Sequence, residues 1–133
     1  IRIYEMILRC LNAMYIGEPD NSRLKLSVRN SLAMVYEAQR EYRKALIEIE
    51  KCLDIAIRND CGYIMATLLS AKAFNITKLV ECKVLGREQI PEIIKLSQQA
   101  YCIATARGDK KVMFSMDIFL KKLFKYIDGL ENQ

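Results

Sequence analysis

The chain has 133 residues, 52% of them hydrophobic, and a formal net charge of +5, enough apolar sequence for one buried core and too much for a disordered segment. It has no histidine, which removes Ser-His-Asp and Cys-His nucleophilic catalysis and the usual zinc, copper and non-haem iron ligand sets. With only five Gly and two Pro, turns are few, and the abundance of Leu, Ile, Ala, Lys and Glu predicts an all-α protein of long helices.

Six helices read out in chain order. The first covers about 2–15. A turn at 17–22, with Gly17, Pro19 and several capping residues, leads to a second helix over 22–39. Arg40 and Glu41 make a short connection to a third helix over 42–58. Asn59 is expected to take the left-handed conformation that ends it, and Asp60 to cap a fourth helix over 61–83, which Gly86 stops. Pro91 fits the first turn of a fifth helix over 90–107. Gly108 ends that helix, and Asp109 caps a sixth over 110–128, with Gly129 ending the chain's order. Arg58-Asn59-Asp60 and Arg107-Gly108-Asp109 thus read as one junction used twice, which points to internal repetition.

Lys and Arg are scattered along the chain, so the mild positive charge does not indicate direct nucleic-acid binding. No apolar run approaches the roughly 18 residues of a membrane span. Arg2, Glu5 and Arg9 are unlike a signal peptide. Cys10, Cys52, Cys61, Cys82 and Cys102 are odd in number and lack Cys-x-x-Cys spacing, which suits reduced thiols in a cytoplasmic protein. The chain begins at Ile1 and is expected to be a fragment of a longer protein.

Few residues suggest catalysis. Glu48 and Glu50 read as a solvated helix face. Ser22-Arg23-Leu24-Lys25 matches Ser-x-x-Lys but sits at a helix start, where Ser22 reads as a cap. The Arg107-Gly108-Asp109 tripeptide is a helix boundary. No glycine-rich phosphate loop occurs. The expectation is therefore a non-enzyme without metal or cofactor.

The second and third helices carry a more specific pattern. Leu32, Ala33 and Tyr36 are followed by Tyr42, Ala45, Ile49, Cys52 and Leu53. Small residues at Ala33 and Ala45 let two antiparallel helices cross closely, and Tyr36 fills the space beyond. Arg9-Cys10-Leu11-Asn12 parallels Lys51-Cys52-Leu53-Asp54. Downstream, Ala71 and Phe74 take the roles of Ala33 and Tyr36, while Ile93, Ser97, Ala100 and Tyr101 take those of Ala45, Ile49, Cys52 and Leu53. An insertion at 80–89 separates these two helices. In the last helix, Met116, Phe119, Leu120 and Leu123 repeat the opening pattern.

This pattern resembles the tetratricopeptide repeat, in a longer variant that lacks the family's usual Gly at Arg40 and the Pro of its short versions at Ile57. The resemblance implies one domain over 1–133, a right-handed superhelix of antiparallel helix pairs. Its units are 1–19 (partial), 22–59, 61–108 and 110–128 (a cap or partial). It also implies a concave face lined by the first helix of each pair. The inward positions would be Ser27, Asn30, Met34 and Glu37, then Leu68, Lys72 and Asn75, then Asp117, Lys121 and Phe124. Taking Ala73 rather than Ala71 as the crossing residue moves the middle set by two positions, and the apolar pattern leaves both registers open.

Asn30 and Asn75 suit the backbone of an extended peptide, since an amide both donates and accepts. Lys72 and Lys121 suit a carboxylate. The long helices and their junctions are similar to the sensor domains of Gram-positive peptide-pheromone transcription regulators. That resemblance implies a quorum-sensing module that binds a short linear peptide or protein segment and forms a homodimer. It implies no contact with nucleic acid or membrane by these residues. The alternative is a constitutive scaffold that docks a protein partner without switching.

Overall fold

The computed structural model describes residues 2–14 and 22–131. Six α-helices are present among these residues: α1 (Arg2–Met14), α2 (Ser22–Ala38), α3 (Tyr42–Arg58), α4 (Met65–Glu81), α5 (Ile90–Arg107) and α6 (Lys110–Glu131). There is no strand among the described residues. The turn expected at 17–21 lies outside them. Each helix packs chiefly against its neighbours in the chain, from α1 on α2 through to α5 on α6, with a lighter contact between α4 and α6. No helix among the described residues is long and apolar enough to cross a membrane.

The α2–α3 pair forms as its spacing dictates. Ala33 and Ala45 are buried, and without side chains beyond Cβ they let the two backbones approach. Leu32, Tyr36 and Ala45 form one cluster. Leu26, Ala33, Ile49 and Cys52 join the larger core, which runs on through α4, α5 and α6. A side chain such as Leu26, wholly withdrawn from water, contributes about 1.5–3 kcal/mol.

One spacing of buried residues occurs in both α3 and α5. Ala45, Glu48, Ile49, Cys52 and Ala56 are buried in α3, and Ile93, Leu96, Ser97, Ala100 and Ala104 are buried in α5 at the same spacing. The correspondence breaks at one place: Leu53 is buried but its counterpart Tyr101 is exposed. Ser97 enters this apolar row because its hydroxyl donates to the Ile93 carbonyl oxygen at 2.7 Å, so no polar group is left unpaired. Glu48 is not on a solvated face. It is buried and held by Arg29 at 3.0 Å and Lys51 at 3.5 Å.

The junctions differ from expectation in instructive ways. Asn59 has φ −110 and stays right-handed, its side-chain amide donating to the Ile55 carbonyl oxygen at 2.9 Å. Asp60 is the residue with positive φ, 51°, and it caps nothing. A one-turn 3-10 helix at Gly62–Ile64 then precedes α4. Helix α4 ends at Glu81, before Gly86, because Lys83 takes the turn with φ 62°. The other junction is as expected. Gly108 has φ 70°, and the Asp109 carboxylate accepts from the Val112 N–H at 3.2 Å, satisfying one of the first-turn donors. Helix α6 runs through Gly129 to Glu131. A glycine within an exposed helix costs about 1 kcal/mol relative to Ala, and Ile127, packed against the core, helps to offset it.

Candidate functional site

Helices α2, α4 and α6 line a common groove of about 600 Å³. Asn30, Met34 and Glu37 come from α2. Thr67, Ser70, Ala71, Phe74, Thr77, Lys78 and Glu81 come from α4. Ser115, Ile118, Phe119, Lys122 and Tyr126 come from α6, and Ile49 of α3 lies at the floor. Helix α5 contributes nothing to it. A second hollow, about 650 Å³, lies between the α2–α3 turn and the end of α4. Its walls carry Arg40, Glu41, Arg43 and Lys44 beside Tyr42, Leu79 and Val84.

The register of α4 decides which residues reach the groove. Ala73 is fully buried while Ala71 is half-buried, so Ala73 is the counterpart of Ala33. Ile76, buried, then stands where Tyr36 stands in α2, and Phe74 is free to face the groove. The inward set becomes Thr67, Ser70, Phe74 and Thr77.

The expected groove residues divide accordingly. Asn30, Met34 and Glu37 line the groove. Ser27 is exposed and outside its lining. Leu68 is fully buried in the core. Lys72 turns toward α3 and pairs with Glu50 at 2.9 Å. Asn75 is fully buried beneath the wall. Asp117 and Lys121 pair with each other at 3.1 Å, and with Phe124 they lie outside the groove lining. At about 100° per residue, these three sit on nearly the opposite face of α6 from Ser115, Ile118, Phe119 and Lys122. Lys72 and Lys121 therefore do not converge on one carboxylate. Just before and at the start of α4, Ile64 and Met65 pack against the core, while Tyr63 stays exposed under the Arg23 guanidinium, 5.2 Å from its ring centroid.

Polar and apolar groups alternate within the groove. Asn30 and Ser70 are half-buried polar groups beside Met34 and Phe74. The Lys78 ammonium lies 5.4 Å from the Phe74 ring centroid and 3.4 Å from Glu81. Beneath the wall, the Asn75 amide donates to Glu37 Oε1 at 2.9 Å and to the Ala71 carbonyl oxygen at 2.8 Å. Its own Oδ1 is buried without a partner. Burial pushes the Glu37 carboxyl above the ordinary glutamate value, and the bond from Asn75 opposes that shift.

Two other titratable groups are shifted by their surroundings. Burial, with a smaller contribution from Glu48, pushes the Cys52 thiol up to about 12, too high for a nucleophile at neutral pH. Tyr36 is raised by burial and by Glu5, whose carboxylate accepts its hydroxyl at 3.3 Å. No group of three or more His, Cys, Asp or Glu among the described residues is placed to hold a metal ion.

Sequence reasoning missed Phe74, Ser70, Thr77, Phe119 and Lys122 as groove residues. Aligning Leu26, Ala33 and Tyr36 on Ala66, Ala73 and Ile76 rather than on the Ala71 register would have found the α4 set. No protein-family model, curated protein or solved structure matches the sequence.

Proposed function

We propose that the chain is a binding module that holds an extended peptide segment in the groove between α2, α4 and α6. The observation that carries this reading is the composition of that groove. It is a long hollow of ligand-site volume with the Asn30 amide beside Met34, Phe74, Ile118 and Phe119. Asn30 is suited to a peptide backbone, whose N–H and C=O groups it can serve together. The aromatic and thioether side chains accept apolar side chains of varied shape.

The way the helices pack suits a sensing role. Neighbours in the chain are neighbours in space, so a ligand touching α2, α4 and α6 at once biases several small adjustments together. Our reading is that the module senses its peptide and passes a changed curvature to an attached domain, as a bacterial transcription regulator would require.

Binding of the whole chain to an immobilised library of random octapeptides tests the proposal. Selected peptides should bind saturably in calorimetry, and Asn30→Ala and Phe74→Ala should each weaken them about tenfold or more while leaving the fold intact. Failure to bind any peptide would remove this reading.

A further inference from the structure

Several acids among the described residues, Glu88 and Glu92 included, have no lysine or arginine nitrogen within 4.0 Å, and Glu37 is the one of them that lines the groove. Glu41, Glu48, Glu50, Asp54, Glu81 and Asp117 each lie within 4.0 Å of a lysine or arginine nitrogen. Glu37 has no such partner among the described residues, although it is half-buried and lines the groove. Its one side-chain bond comes from Asn75, a fully buried amide that also donates to the Ala71 carbonyl. Asn75 is thereby fixed to α4 and holds the carboxylate in place from below. Neither lysine of the groove pairs with Glu37: Lys78 pairs with Glu81 over the Phe74 ring, and Lys122, on α6, is in no ion pair with it. A partly desolvated carboxylate with one neutral hydrogen bond gains strongly from an incoming cation.

Resting on the peptide reading above, we infer that Glu37 sets the specificity of the groove by pairing with a lysine or arginine side chain of the bound peptide, with Asn75 as its positioning residue. The spacing along α2 supports this. Asn30 and Glu37 are two turns apart, about 10.5 Å, which an extended strand covers in about three residues at roughly 3.3 Å each. A peptide whose backbone is held at Asn30 therefore presents the third residue along to Glu37. Because the carboxylate is turned down toward Asn75, a long flexible side chain reaches it while the peptide backbone stays beside Asn30.

Two octapeptide libraries, one N-acetylated and one with free amines, both C-amidated, test this against the whole wild-type chain and Glu37→Gln. The variant keeps the oxygen that accepts from Asn75, and a thermal melt checks that it folds. The inference expects Lys or Arg enriched at one position in both libraries. Replacing that residue by norleucine should weaken binding to the wild type about tenfold or more and leave binding to Glu37→Gln unchanged. Peptides bound without a basic preference, or with one that survives in Glu37→Gln, would overturn the role of Glu37 and leave the groove reading standing. Binding confined to the free-amine library would overturn it in favour of a terminal amine. No binding in either library would overturn both readings together.

Discussion

The Asn75 amide and the Glu37 carboxylate meet at 2.9 Å and tie α4 to α2 beneath the groove wall. One partner is fully buried and the other half-buried, so the bond belongs to the fold as well as to the site. Replacing Asn75 by Ala removes the one side-chain donor to Glu37 and leaves a small void. The expected cost is about 1–3 kcal/mol, read as a lower urea midpoint at unchanged slope.

The same pair makes stability depend on pH in a defined direction. Burial raises the Glu37 carboxyl in the folded state above the ordinary value of 4.5, so the folded protein holds that proton more tightly than the unfolded chain. The associated stability is fully present below about 4.5 and is lost as pH rises through the folded value. Unfolding curves from acid to neutral pH should show the wild type falling relative to Glu37→Gln over that window. Parallel pH profiles would contradict the assignment.

The register of α4 is open to test by adding bulk. Ala73 is fully buried at the crossing, while Ala71 faces the groove. Ala73→Leu should destabilise by about 1–3 kcal/mol or more through overpacking. Ala71→Leu should leave the melting temperature nearly unchanged and narrow the groove. Equal effects from the two would mean that the crossing lies elsewhere.

Three non-glycine residues take positive φ at the junctions: Arg40 at 61°, Asp60 at 51° and Lys83 at 62°. The left-handed conformation costs an L-residue about 1–2 kcal/mol. Part of that returns on substitution by Gly, whose freer unfolded chain offsets the rest. Arg40→Gly should stabilise by about 0.5–1 kcal/mol, and Gly108→Ala, at φ 70°, should destabilise by about 1 kcal/mol, both measured by chemical denaturation.

Thiol accessibility should separate the cysteines. Cys10, Cys82 and Cys102 are exposed, and Cys52 and Cys61 are buried. A disulfide reagent at neutral pH should titrate three thiols quickly and two only on unfolding, with Cys52 doubly protected by burial and by its high pKa.

The sequence by itself determined the helices and the pairing of α2 with α3. Local signals suffice there: Ala33 and Ala45 are the small residues at the close crossing, Leu32 and Tyr36 flank it at helical spacing, and Pro91 and Gly108 mark the limits of α5. The repeat between α3 and α5 was equally readable, because its apolar positions recur at one period. Only the tertiary structure decided how α4 and α6 rotate about their axes. In α4, Ala71 and Ala73 both satisfy the crossing, and the tertiary structure buries Ala73 in the core shared with α3 and α5, which sends Phe74 to the groove and Asn75 into the core. In α6 the apolar stripe through Met116, Phe119 and Leu123 is readable, but Ile118 and Lys122 lie beside it, and only packing against α5 and α4 brings them to the groove and leaves Phe124 out. The left-handed residue at the α3 junction was decided in the same way. Asn59 has the better intrinsic preference, but its side chain bonds back to Ile55, and the turn passes to Asp60. A helix carries its composition in sequence, whereas its rotation is set by neighbours that are distant in the chain.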